Sequence, residues 1–369
     1  MILKFVLFYG KFSLHFVDNS ILSVIFSIMK KIKFLLIIFV CAVSLSTCTE
    51  DDPFGGSGLK LLPDTVLFAS SFQQYDDFLN ESAVVDDNFN VAYLTSKRNR
   101  INNITTTTTD EAKQKAAIIN NLDKAINIAS DSTKKAEVLA QAEMVKRLGA
   151  NIRAAAEKWC ESVGESHYLT NYEWTYNLVV DDQINAWCMP GGKIVVYTGI
   201  LPVTQNEDAL ATVMGHEVAH ALHNHGNQRV SMSLLLQLGL VGASLTTAAL
   251  GANQDAQALI LAGLNMASTL GVVLPFSRDN ESEADKTGLY LMAIAGYNPE
   301  ESVPFWQRMA KLGGGTPEFL STHPSSENRQ KNLQKLIPVA KRKAAKLHIE
   351  SVKASINKAK NIAAEINKQ

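Results

Sequence analysis

Thr212-Val213-Met214-Gly215-His216-Glu217-Val218-Ala219-His220 is the stretch from which the rest of the chain is read. It sets His-Glu-x-x-His inside a run with helical apolar spacing, with Leu210, Val213, Met214, Val218, Ala221 and Leu222 along one side. Residues four apart share a helix face, so His216 and His220 can aim both imidazoles at one metal ion. Two neutral imidazoles suit zinc, and a catalytic zinc takes three protein ligands and leaves one position for water. Glu217 projects beside them, where a carboxylate serves as general base on that water. A histidine pair on a helix surface is the bland alternative. Against it, Thr204-Gln205-Asn206-Glu207 reads as a capping box that starts the helix ahead of the motif, and Gly226 reads as its C-cap. Inside so apolar a helix, His and Glu without partners would be costly to bury.

Upstream of this helix the text changes character several times. The chain has 369 residues, a formal net charge of −1 and 46% hydrophobic residues, which allows a large core and gives no global sign of nucleic-acid binding. Residues 1–28 make a poor leader and read as an upstream extension. From Met29 a charged start, a short apolar run and Leu45-Ser46-Thr47-Cys48 read as a signal peptide over 29–47. The Leu-x-x-Cys ending resembles a bacterial lipobox, with Cys48 as the lipidated first mature residue, although Thr47 departs from the usual small residue there. The expectation is an exported, membrane-anchored lipoprotein of a Gram-negative bacterium, at the outer membrane facing periplasm or surface. A plain N-terminal anchor, or a cleaved signal with an incidental cysteine, stays open. Residues 48–58 read as a tether, and the last two cysteines, Cys160 and Cys188, either pair or stand as buried thiols.

Residues 59–130 read as an accessory helical and irregular segment, 131–337 as the main domain and 338–369 as a basic C-terminal helix. A long helix is expected from about Ser132 to Cys160, with Val138, Ala142, Val145, Ile152 and Trp159 as its buried stripe and Gly149 interrupting it. The period then shifts to two. Tyr172–Val180, Asn185–Met189 and Lys193–Thr198 read as three strands, with Pro190-Gly191-Gly192 as a turn. That makes an α+β fold, mostly helical, with a small antiparallel sheet beside the His-Glu-x-x-His helix. The apolar blocks within 231–274 approach membrane-span length, but their Asn, Gln and Asp residues favour a helical hairpin near the site or on a membrane surface.

A pair of histidines needs a third ligand, and Ser277-Arg278-Asp279-Asn280-Glu281-Ser282-Glu283-Ala284-Asp285 offers one. Glu281 and Asp285 lie four apart on one helix face. One can bind zinc while the other accepts the outer N–H of a ligating imidazole. A solvated acidic helix start is the alternative.

Three motifs in order now carry a family resemblance: Asn185-Ala186 with Pro190-Gly191-Gly192, then His-Glu-x-x-His, then Ser-Arg-x-x-Glu-x-x-Ala-Asp. Over roughly residues 135–335 the chain resembles metallopeptidase family forty-eight, the HtpX-like and CAAX-prenyl-protease-like zinc endopeptidases, in its periplasmic lipoprotein-type branch. The resemblance implies a zincin-like (gluzincin) catalytic domain holding one zinc ion. It makes Glu281 the third ligand, Asp285 the carboxylate behind a ligating histidine, and gives Glu283 no such role. It also implies that a sheet edge near the metal binds the substrate backbone by strand addition, which points to Gly191, Gly192, Lys193, Ile194 and Val195, with the Lys193–Thr198 strand or its neighbour aligning the peptide. Ser321-Thr322-His323-Pro324-Ser325-Ser326-Glu327-Asn328-Arg329 matches a late family motif. His323 either caps the next helix at the surface or swings over the metal, to hydrogen-bond the oxyanion or to occupy the open position as a gate.

The expected activity is metal-assisted peptide hydrolysis in cell-envelope protein quality control, with Glu217 as base and His323 assisting or gating. Unfolded or misassembled envelope proteins would be the substrates, and a lipid anchor would provide the membrane contact. A zinc-binding, chaperone-like lipoprotein with little proteolysis is the alternative, and the intact Glu217 argues against it.

Overall fold

The glycines at two helix faces and one hairpin decide how the elements come together. The computed structural model describes residues 49–232, 278–312, 318–323 and 327–366, all but Thr49 of them in the unit Glu50–Gln369. The leader, Cys48 and residues 233–274 lie outside the described residues.

Helix α1 (Asp64–Glu81) follows Pro63, and α2 (Val91–Asn102) is capped by Asn90. Helix α3 (Thr109–Ser130) begins with a capping box of Thr108 and Glu111. Helix α4 (Ser132–Ser162) is the long helix, and its buried residues Val138, Ala142, Val145, Leu148, Ile152 and Trp159 recur at helical spacing. Gly149 belongs to that face rather than interrupting it. A Cβ there would lie 2.2 Å from Cδ1 of Tyr176, so the glycine is where the sheet lands on the helix.

Strands β1 (Thr175–Val179), β2 (Ala186–Met189) and β3 (Lys193–Tyr197) form one sheet in the order β1-β3-β2. The sheet is mixed, not antiparallel as expected. β2 and β3 pair as an antiparallel hairpin, with Met189 opposite Lys193. β1 runs parallel to β3, with Thr175 opposite Lys193 and Val179 opposite Tyr197. The reason lies in burial: every residue of Lys193–Tyr197 is buried, and such a strand takes the centre of a sheet. Gly191 and Gly192 make the hairpin turn, both at positive φ (85° and 90°), where side chains are strained.

Helix α5 (Glu207–Leu222) carries the His-Glu-x-x-His motif and is buried from Ala209 to Leu222. Its cap differs from expectation. Thr204 ends a short helix, Gln205 turns at φ 67°, and the Asn206 side chain caps by accepting from the Ala209 N–H at 2.8 Å. Its end also differs: Asn224 turns at φ 53°, and a second helix runs over 225–232 past Gly226. The hydroxyls of Tyr172 and Tyr168 donate to the carbonyls of Ala221 and Leu222, so the buried helix end is satisfied.

Helix α6 (Arg278–Ile294) crosses α5 at glycine on glycine. A Cβ on Gly215 would lie 2.7 Å from the Gly288 carbonyl oxygen, and one on Gly288 would lie 2.6 Å from the His216 nitrogen. Only this close approach brings α6 carboxylates to the α5 imidazoles. Helix α7 (Ser302–Ala310) contributes buried Phe305, Trp306 and Met309, and α8 (Glu327–Ile366) continues through Pro338. Among the described residues, no helix is long and apolar enough to cross a membrane.

Candidate active site

At the α5–α6 crossing His216, His220 and Glu281 meet His323, which follows the short helix Glu318–Thr322; all four are buried. Their donor atoms lie within 4.8 Å of one another. Nε2 of His216 is 3.1 Å from Nε2 of His220 and 3.1 Å from Nδ1 of His323. Oε1 of Glu281 is 3.3 Å from His220 Nε2 and 2.9 Å from His323 Nδ1. His323 is therefore not a surface cap.

Burial holds His216 and His220 well below the ordinary imidazole range, so both are neutral, the form that ligates a metal. Burial works to raise the Glu281 carboxyl as well, but hydrogen bonds from His220 and His323 outweigh it and hold the group far below the usual carboxylate range. A ring of imidazole nitrogens and one carboxylate suits zinc. Nitrogen lone pairs this close repel unless a proton or a cation sits between them, and the chemistry of the donor set fits a divalent ion.

Behind the ring, Nδ1 of His216 meets Oδ1 of Asp285 at 3.0 Å, which fixes the imidazole with Nε2 toward the site. Burial pushes the Asp285 carboxyl up to about 6, with Arg329 acting the other way. Arg329 forks across both α6 carboxylates: Nη1 donates to Glu281 Oε2 at 3.0 Å and Nη2 to Asp285 Oδ1 at 2.6 Å. Its guanidinium lies 3.5 Å from the Trp306 ring centroid. Arg329 closes the late motif, but sequence reasoning gave it no role in the site. Charge could have found it, since Glu217, Glu281 and Asp285 put three carboxylates in one pocket, and buried carboxylates need cations.

Glu217 stands beside the ring, with Oε1 at 3.4 Å from His323 Nε2. Among the described residues no donor hydrogen-bonds that oxygen. Burial pushes the carboxyl up to about 7, with His323 opposing, and the Cys188 N–H of β2 also hydrogen-bonds it. A cation in the ring would pull that value down. Cys160 and Cys188 are both free thiols.

Of the two strands expected to align the peptide, the Lys193–Thr198 strand is central, which corrects that choice and leaves its neighbour. Lys193, Ile194 and Val195 lie in β3, which is paired on both sides, and Gly191 and Gly192 are its turn. None of them is a sheet edge. Lys193 instead pairs with Glu173 at 3.2 Å and covers the Phe72 ring at 4.3 Å. The edge strand beside α5 is β2.

A mostly helical domain built around a buried His-Glu-x-x-His helix, with a carboxylate helix crossing it, is the plan of a metallopeptidase. Residues 147–337 match the model of peptidase family M48, and the chain belongs to that family. It is similar to the mitochondrial metalloendopeptidase OMA1 of Saccharomyces cerevisiae, 36% identical over 186 residues that cover 48% of this chain and 50% of the relative. Human metalloendopeptidase OMA1, mitochondrial, is 36% identical over 181 residues, covering 47% of this chain and 34% of that one. The beta-barrel assembly-enhancing protease of Escherichia coli is 30% identical over 159 residues, covering 41% and 32%. The chain thus spans about a third to a half of the length of the curated relatives it matches.

These relatives correct the expected location. The matches at 33% to 38% identity are mitochondrial proteins of eukaryotes, and the bacterial proteases match at 30%. A Gram-negative outer-membrane lipoprotein is not supported.

Proposed function

We propose that the chain is a zinc-dependent endopeptidase with a zincin-like catalytic domain, acting on unfolded or misassembled proteins in protein quality control. The observation that carries this reading is the convergence of His216, His220, Glu281 and His323 beside the unbonded oxygen of Glu217. The names of the relatives support the endopeptidase class, and one of them is named for enhancing beta-barrel assembly.

Zinc bound there would polarise the scissile carbonyl and acidify water. Glu217 takes the proton from the attacking water and returns it to the leaving amine. Asp285 and Arg329 hold the orientation of His216 and Glu281. The edge of β2, which pairs with no other strand among the described residues, gives an extended substrate a ladder to join next to Glu217. His323 acts as a gate in this reading, because its Nδ1 already stands among the ligand atoms and a substrate carbonyl needs that place.

The test is casein cleavage by the purified full chain. Wild type should cleave, lose activity to a chelator and regain it with zinc. Glu217→Gln should hold zinc normally and lose about two to four orders of magnitude in turnover. Turnover at the wild-type rate in that variant would end the mechanism.

A further inference from the structure

His216 and His220 are supported differently from behind. His216 leans directly on the Asp285 carboxylate. His220 leans on another imidazole: its Nδ1 is 2.8 Å from Nδ1 of His225, and the far nitrogen of His225, Nε2, is 3.2 Å from Oε2 of Glu283. The His225 side chain is wholly buried, while that of Glu283 is 35% exposed. His225 also stacks on His223, with ring centroids 5.2 Å apart at 16°.

His223, His225 and Glu283 together offer donors for a second metal. The protons argue against that use. When His220 gives its Nε2 lone pair to a metal, its neutral ring carries the proton on Nδ1. That N–H donates to His225 Nδ1, so the proton of neutral His225 sits on Nε2 and points at Glu283. A nitrogen bearing a proton cannot ligate. Were His225 to bind a metal through Nε2, its Nδ1–H would face His220 and force the His220 proton onto Nε2. The two sites therefore compete for one tautomer. The four-donor ring, with no water-exposed member, is the one the fold has built. His223 is also committed, with Nδ1 on Asp52 at 2.7 Å and Nε2 on the Thr287 hydroxyl at 2.9 Å.

We infer that His225 and Glu283 are positioning residues, a two-step relay that fixes the tautomer and orientation of His220 and raises its basicity toward the metal. The inference rests on the zinc reading above. It gives Glu283 a task that the family resemblance does not.

The test uses Glu283, because replacing the buried His225 could unfold the protein. Wild type, Glu283→Gln and Glu283→Ala are stripped of metal, and their zinc affinity is measured by competition with a chromophoric chelator. The melting temperature of each stripped protein is measured alongside. Cobalt(II) replaces zinc for a second readout, its ligand-field absorption. Glu283→Ala should bind zinc up to about 10-fold more weakly, the low end for a lost direct partner of a ligating histidine, since Glu283 acts one step further back through His225. Glu283→Gln, whose side-chain carbonyl still accepts from His225, should fall between. The cobalt bands should shift in Glu283→Ala while the metal-free melting temperature stays put. Unchanged zinc affinity and cobalt bands in Glu283→Ala, with tight zinc in wild type, would overturn the relay alone. Two zinc ions per wild-type chain, with one lost in His223→Ala, would overturn it in favour of a second site. A wild type that binds no zinc would remove the zinc reading and the relay with it.

Discussion

Two sets of histidines meet α6 at and just past the C-terminal end of α5, and the two sides are built on opposite terms. On one side His216 and His220 face Glu281 and His323, with nitrogens 3.1 Å apart and carboxylates crowding behind. On the other side His223 has one partner for each nitrogen, Asp52 and Thr287. Asp52 is itself satisfied by the N–H groups of Phe54 and Gly56, and Phe54 packs edge-on against Trp159, Tyr168 and His223. The second side is complete with protein atoms alone. The first crowds like donors together, and a proton or a cation between them is needed to reconcile them. A site that must bind is left strained in its electrostatics, and a site that must only hold is closed hydrogen bond by hydrogen bond.

The largest break in that comparison is removal of a donor from the crowded side. Glu281→Gln keeps the shape but takes away the charge that faces three imidazoles and Arg329. Zinc affinity should fall by more than the roughly 10- to 100-fold typical of a lost supporting partner. Thermal stability should then stop responding to added zinc, since a ligand that no longer binds the native state cannot stabilise it. Full zinc occupancy in this variant, measured by elemental analysis after dialysis, would move the third ligand elsewhere. The Asp52 side should be untouched, which hydrogen exchange around His223 would report.

Next in size is the helix crossing that serves both sides. Gly288→Ala places a methyl 2.6 Å from the His216 nitrogen, in backbone that cannot give way. Overpacking of this kind costs about 1–3 kcal/mol. It should also separate Glu281 and Asp285 from His216, so zinc affinity falls together with melting temperature. A stable variant with normal zinc binding would show that the crossing has slack.

The crossing also shows what sequence could and could not yield. The spacing of His216 and His220, and of Glu281 and Asp285, needs only a local helix to place each pair on one face. The long helix was legible for the same reason, from its apolar period. Strand order was not, because β1 pairs with β3 across the hairpin, and pairing is not a local property. The cap of α5 was misplaced by two residues, since Asn206 and Thr204 are both good capping residues and only the backbone at Gln205 decides between them. Arg329 reaches Asp285 across 44 residues of sequence, and no spacing encodes that. His225 was hidden by reading Gly226 as the helix end, when the chain turns at Asn224 and a new helix carries His225 back under His220.

His323 sharpens the comparison from within the crowded side. It is the member of the ring that comes from outside the two crossing helices. As a gate it lowers the fraction of molecules open to substrate, and removing it should raise basal casein cleavage severalfold, up to the inverse of that fraction. A fall in cleavage instead would assign His323 to the oxyanion, where a lost donor costs about 10²-fold or more.

The smallest effect belongs to the satisfied side. Asp52→Asn keeps an acceptor for Phe54 and Gly56 but removes the charge that faces His223. The loss should be about 1 kcal/mol, the net value of one such hydrogen bond. Its pH dependence carries the sign. Burial acts to raise the Asp52 carboxyl, but the hydrogen bond and charge of His223 and the two backbone N–H groups outweigh it and leave the group below its ordinary 3.8. A carboxyl lowered by folding adds stability above its unfolded value and loses it as pH falls through the folded one. The gap between wild type and Asp52→Asn, read from urea unfolding, should therefore be constant at neutral pH and close below about pH 4. A gap that persists there would mean that Asp52 acts through shape rather than charge, and the two sides of α5 would then differ in packing alone.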